Sequence, residues 1–157
     1  MDKLLTILND NARLSNAQIA AMLGTTEQDV AAKIAKLEED GVLRGYKAVV
    51  DWDRTDRDYV TAIIELRVTP KRDRGFEELA ETIMRFDEVE NVYLMSGGYD
   101  FSILVRGKTF QEIAMFVARR LATLDSVVST TTHFVLRRYK ERDVQFLGEQ
   151  KDERGAF

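Results

Sequence analysis

Side chains able to do chemistry are sparse in this chain and gather in three places. The first is the stretch Ser96-Gly97-Gly98-Tyr99-Asp100-Phe101. Glycine backbone amides can approach a carboxylate closely, and an aspartate such as Asp100 can hold an ammonium group. The second is the run around Thr130 and Thr132, whose hydroxyls can orient both charges. The same residues also suit a purely structural reading. Adjacent glycines make a tight hairpin turn, threonine favours strands, and Asp100 can accept backbone hydrogen bonds within that turn. The third place is the set of basic side chains Lys33, Lys36, Arg44 and Lys47 in the first fifty residues. His133 is the only histidine and cysteine is absent, so neither a metal site nor any other cofactor is expected. No phosphate loop, nucleophile elbow or paired zinc motif appears, which argues against an enzyme.

These groups must be positioned by elements, and periodicity predicts which. Leu4, Leu5 and Leu8 mark a short helix that ends at Asn9-Asp10-Asn11. Ser15 with Gln18 has capping-box spacing and starts a second helix, with Ile19 and Met22 turned inward and Gly24 as its left-handed cap. Thr26 caps a third helix whose apolar stripe is Val30, Ile34 and Leu37, and Gly41 ends it. Val42-Leu43 and Tyr46-Ala48-Val50 read as two short strands around Gly45, a wing. Three short helices with a tight turn between the last two follow the helix-turn-helix plan, or else form a packing unit with no nucleic-acid role.

From residue 59 the period changes to two. Val60, Ala62, Ile64, Leu66 and Val68 alternate with Thr61, Ile63, Glu65 and Arg67, and Pro70 is expected to end the strand. Phe76, Leu79, Ala80 and Ile83 make a helical stripe. Val89 to Met95 is a strand, followed by the Ser96-Gly97-Gly98 turn and a strand through Phe101, Ile103 and Val105. Phe110, Ile113, Val117 and Leu121 mark another helix, and Val127 through Arg138 a long last strand. The order βαββαβ predicts a ferredoxin-like sheet with both helices on one face. Its other face, with Ile63 and Leu104, stays partly apolar and predicts association through the sheet. The fold class is therefore α+β, a winged helix-turn-helix followed by a βαββαβ domain for sensing and dimerisation.

The boundaries that follow are a DNA-binding domain over 1–50, a charged hinge over 51–58, an effector-binding and oligomerisation domain over 59–140, and a charged tail over 141–157. Trp52 is expected to pack between head and body. No apolar run reaches the eighteen residues a membrane span needs, and Met1 to Leu8 lacks the pattern of a signal peptide, so a cytoplasmic protein without membrane partners is expected. Net charge is −4, so any attraction to nucleic acid must come from local placement of charge.

The segments from Ala12 to Ala20, Leu23-Gly24, and the phrase KLEEDGVLRGYKAVVD from Lys36 to Asp51 resemble the Lrp/AsnC family of feast/famine transcription regulators. The resemblance covers nearly the whole chain. It implies double-stranded DNA as partner, read by Thr26, Gln28, Ala32, Lys33, Lys36, Arg44 and Lys47, with the basic residues on phosphates and Gln28 towards a base. It implies an amino acid or related effector held by Ser96, Gly97, Gly98, Tyr99, Asp100, Thr130 and Thr132, and a homodimer that assembles further, to an octamer in the family. One departure stands out. Residues 1–50 hold six basic and seven acidic side chains, and the outer face of the third helix carries Gln28, Ala32, Ala35 and Glu39. A single head should bind DNA weakly, and linked heads should compensate through effective concentration. Two other readings share this architecture: a tetrapyrrole decarboxylase resembling the siroheme enzymes, and a metabolite sensor that has lost DNA binding.

Overall fold

The computed structural model describes residues 2–56, 59–69 and 75–147. The chain divides into two compact units between Ala48 and Val49.

The first unit is three helices. Helix α1 spans Lys3–Asp10, and the Asp2 carboxylate caps it by accepting from the Leu4 N–H at 3.0 Å. Helix α2 spans Asn16–Leu23 and carries the complete capping box: the Ser15 hydroxyl accepts from the Gln18 N–H, and the Gln18 side chain accepts from the Ser15 N–H. It stops at Gly24, whose φ of +66° is the left-handed conformation that glycine adopts without strain. Helix α3 spans Glu27–Glu39 with Thr26 as its cap. Leu4, Leu8, Ile19, Ala20 and Val30 are buried together, and Ile34 and Leu37 pack against them. Each leucine, isoleucine or valine among them contributes roughly 1.5–3 kcal/mol when fully buried.

Two expectations for this unit fail. Met22 is 61% exposed, because the inward face of α2 passes through Ile19, Ala20 and Leu23 and leaves Met22 on its flank. No strand forms between residues 42 and 50. A strand requires a paired ladder, and here the Tyr46 hydroxyl instead donates to Glu38 Oε1 at 2.9 Å, tying the segment to the end of α3.

The second unit is a sheet with helices on one face. Strand β1 spans Val60–Val68, helix α4 Gly75–Met84, β2 Val89–Leu94, β3 Phe101–Gly107, helix α5 Phe110–Phe116 and β4 Val127–Phe134. The four strands are antiparallel in the order β2-β3-β1-β4. Ala62, Ile64 and Leu66 of β1 and Phe101, Ile103 and Val105 of β3 are buried under Leu79 and Ile83 of α4 and Ile113 and Phe116 of α5. A π-type turn at Val117–Leu121 continues α5 and buries Val117 and Leu121. The alternation read from the sequence thus fixes which sheet face the helices cover. The strand end expected at Pro70 lies outside the described residues.

Three details differ from expectation. Strand β2 stops at Leu94, one residue before Met95. Phe110 is 56% exposed rather than buried, because it opens α5 and reaches sideways to Phe134 at 4.8 Å between ring centroids. Strand β4 stops at Phe134 and not at Arg138: its last described bond to β1 runs from the Val135 N–H to the Thr61 carbonyl. The chain then forms a small hairpin, β5 Lys140–Glu141 with β6 Val144–Gln145, turning through Arg142 and Asp143 at positive φ. Residues 148–157 of the expected tail, and residues 57 and 58 of the expected hinge, lie outside the described residues.

Trp52 opens a short 3-10 turn, Trp52–Arg54. Its ring stands edge-on to Tyr59 at 5.5 Å, and the Arg106 guanidinium lies over both rings. These partners all belong to the second unit.

Candidate functional site

Two groups of predicted residues occupy separate units. In the first, Thr26, Gln28, Ala32, Lys33, Lys36, Arg44 and Lys47 are all exposed. Gln28 and Ala32 lie one helical turn apart on the face of α3 opposite Val30. The hydroxyl of Thr26 is already engaged: it accepts from the Asp29 N–H at 3.1 Å and donates to Asp29 Oδ2 at 2.7 Å. The Thr25 hydroxyl donates to the same oxygen at 3.0 Å. These hydrogen bonds, that from Thr26 first, hold the Asp29 carboxyl below its ordinary value of 3.8. Glu27 and Asp29 favour the helix N-terminus electrostatically but repel phosphate from it. Lys33 is engaged too, with its Nζ 3.1 Å from Asp2 Oδ2 and 3.2 Å from Oδ1. The Arg44 guanidinium folds back over Gly41, where a Cβ would lie 3.2 Å from Cζ. Lys36 and Lys47 extend into solvent.

In the second unit, sheet register decides which effector candidates meet. Leu66 of β1 pairs with Phe101 on one side and Thr130 on the other. The loop 96–100 and Thr130 therefore flank the same end of β1, roughly 10 Å apart across two strand spacings. Thr132 pairs opposite Ile64, further along the sheet. Both threonines are partly buried and share the helix-covered face, since their partners Leu66 and Ile64 belong to the core. Ser129, Thr131 and His133 alternate to the other face.

Asp100 is held firmly. Its N–H donates to the Leu66 carbonyl and its carbonyl accepts from the Met95 N–H, both at 2.8 Å. Its Oδ2 accepts from the Val68 N–H at 2.8 Å, while Oδ1 has no hydrogen bond among the described residues. Arg67 Nε donates to the Gly98 carbonyl at 2.9 Å, closing the loop against β1. Gly97 has φ +155°, in the mirror-β region open mainly to glycine, with nothing within 4 Å of where a Cβ would stand. Ser96, Gly97 and Gly98 are exposed and Tyr99 partly so. Arg67 and the Val68 N–H were not among the sequence-predicted residues. Their only signal would have been the strand pairing itself.

A cavity of about 190 Å³ opens beside α4, lined by Gly75, Glu78, Leu79, Thr82, Leu124, Asp125 and Ser126. It includes neither the loop 96–100 nor the two threonines; of the predicted effector residues, Ser96, Gly97 and Gly98 are exposed, while Tyr99, Asp100, Thr130 and Thr132 are half-buried. On the uncovered sheet face Ile63 faces Leu104 in register, with Ile63 39% exposed. His133 lies on that face as well, 53% exposed, with Nε2 3.3 Å from Glu65 Oε1. No group of metal-ligating side chains occurs among the described residues, and none of their helices is long and apolar enough to cross a membrane.

Residues 61–145 match the family model of the Lrp/AsnC ligand-binding domain, and residues 3–44 match that of a winged helix-turn-helix DNA-binding domain. An uncharacterized HTH-type transcriptional regulator of Bacillus subtilis is 50% identical over 139 residues, which cover 88% of this chain and 84% of the relative. The solved structure of Escherichia coli AsnC superposes with a TM-score of 0.70 at 22% identity, covering 92% of this chain and 97% of that one. A transcriptional regulator of Neisseria meningitidis, solved as its complex with L-Met, superposes with a TM-score of 0.73 at 21% identity, covering 90% and 93%.

Proposed function

The chain belongs to the Lrp/AsnC family of transcription regulators, and from that premise we propose that an amino acid or related metabolite, bound at the Asp100 end of the sheet, sets its assembly and thereby its affinity for DNA. The observation that carries this reading is Oδ1 of Asp100, which makes no hydrogen bond among the described residues and belongs to a glycine loop that Arg67 and Val68 pin in place. Oδ1 is suited to an ammonium group, and the exposed amides of Gly97 and Gly98 to a carboxylate. Ser96, Tyr99, Thr130 and Thr132 complete the proposed contacts. The loop residues Ser96, Gly97 and Gly98 are exposed in one chain, which suits a ligand enclosed only when two chains meet. The L-Met complex of the Neisseria regulator lends chemical plausibility to an amino acid.

Residues 1–50 are the proposed DNA-binding domain, 51–58 the hinge, 59–140 the sensing and oligomerisation domain and 141–157 the tail. The homodimer is proposed to form through the face bearing Ile63 and Leu104, with higher assembly, an octamer by analogy with the family, multiplying heads of low charge. On DNA, Lys36, Arg44 and Lys47 contact phosphates, Lys33 reaches them only when it leaves Asp2, and Gln28 and Ala32 face the bases beside Thr26. The cell compartment that fits is the cytoplasm. The relatives found are regulators, and the tetrapyrrole decarboxylase alternative is set aside.

The test is a thermal-shift screen of the full chain against the amino acids, followed by DNA binding to its own promoter region with and without each hit. Preferential binding to the folded state raises the melting temperature. A hit that stabilises the protein and changes both sedimentation and DNA affinity supports the reading. Tight hits that leave assembly and DNA binding untouched sink it and favour a sensor without a DNA role.

A further inference from the structure

Helix α3 contributes two basic side chains, Lys33 and Lys36, and one of them is not free. Lys33 Nζ lies within 3.2 Å of both carboxylate oxygens of Asp2. Asp2 comes from the start of α1, thirty-one residues away in the chain, so no local helical spacing produces this pair. Asp2 is also fixed in place, because the same carboxylate caps α1 through the Leu4 N–H. That cap, then the Lys33 hydrogen bond, hold its carboxyl below the ordinary 3.8, so it is ionised wherever DNA binding is measured. Asp29, also held ionised, lines the same cavity of about 360 Å³ with Asp2 and Lys33.

We infer that Asp2 is an affinity-limiting residue of the DNA-binding head, masking Lys33 from the phosphate backbone by holding its ammonium group at the base of α1. The inference rests on the reading of α3 as the DNA-facing helix. Each ammonium group that neutralises a phosphate releases condensed counterions, and this release dominates affinity. A lysine already neutralised by a carboxylate contributes little to it, and the fixed carboxylate adds repulsion. The pair is exposed, with side chains 54% and 29% accessible, so the mask is weak and one substitution removes it. In a head whose side chains sum to a negative charge, one unmasked lysine is a large fraction of what can meet DNA.

The experiment compares DNA binding of the full chain with Asp2→Asn, Lys33→Gln, the double variant and Lys36→Gln, across a salt series. Asn caps a helix about as well as Asp, so α1 should persist in Asp2→Asn, and circular dichroism checks it. The expected result is affinity raised roughly two- to fivefold for each engaged head, with a salt slope steeper by about 0.9 per head. The gain should vanish in the double variant, because Lys33 is the group that is released. An unchanged or lower affinity in Asp2→Asn overturns the inference, as does a gain that survives Lys33→Gln. Lys36→Gln separates the two levels. If it weakens binding while Asp2→Asn does nothing, the masking fails and the DNA-reading helix stands; if neither changes binding, both fail.

Discussion

The carboxylate of Asp100 accepts a hydrogen bond from the backbone N–H of Val68 at 2.8 Å, joining the glycine loop to the end of the neighbouring strand. One oxygen thus performs a structural task, while the other makes no hydrogen bond among the described residues and is the one proposed to meet a ligand. Of the two readings that the sequence leaves open for Asp100, the structural one is seen directly, since its carboxylate accepts a backbone hydrogen bond. The bond it accepts, however, comes from another strand thirty-two residues away and not from its own turn.

This division of labour is separable by mutation. Asp100→Ala leaves the partly buried Val68 N–H without a partner and should cost about 1–3 kcal/mol of stability. Asp100→Asn keeps an acceptor for Val68 and should retain most of that stability, yet it removes the charge for an ammonium group. Denaturant melts paired with calorimetric titration of the thermal-shift hit would show it. Equal loss of stability in both variants would count against the assignment.

The uncovered sheet face should carry the dimer. Ile63→Glu puts a carboxylate opposite Leu104 at the centre of that face. Burying that charge in an apolar interface should weaken association by roughly a hundredfold or more, while the exposed position leaves the monomer folded. Analytical ultracentrifugation over a concentration series reads this directly, and an unchanged dissociation constant would locate the interface elsewhere.

Gly107 ends β3 against α5, where an added Cβ would stand 2.9 Å from Ile113 Cγ1. Ile113 is buried and has little room to retreat. Gly107→Ala should therefore cost about 1–3 kcal/mol through overpacking, measured by chemical denaturation of the second unit's signal. A neutral result would mean that α5 shifts freely.

Acid should loosen the head through Asp29. Its folded carboxyl is held below the ordinary 3.8 by Thr26 and Thr25, so the unfolded chain binds the proton more readily. The contribution is fully present above 3.8 and is lost as pH falls from there through the lowered folded value. Helix content followed between pH 5 and pH 2 should fall less steeply in Asp29→Asn than in the parent chain. Parallel curves would remove Asp29 from the account.

Much of the fold is legible in the sequence because it depends on local rules. Ser15 with Gln18, Thr26 with Asp29, and the alternation from Val60 to Val68 are satisfied within a few residues or by simple inside-outside partition. The failures come where a partner outside the local segment decides. Phe110 follows a helical period yet turns to Phe134, and residues 135–138 look like strand but pair with no strand among the described residues. The wing segment has apolar alternation, but Tyr46 is held by Glu38 and no ladder forms.

The sequence by itself determined the three helices of the head, the order βαββαβ and most of the buried faces, because propensity, capping and periodicity act over distances of a few residues. Tertiary structure alone decided which charges are free. Lys33 and Asp100 look alike on the page as exposed ionic groups. Pairing across thirty-one residues neutralises the first, and register beside Val68 commits half of the second while leaving its other oxygen open. Such pairings arise only when distant segments are brought within about 3 Å, and no local spacing rule encodes that.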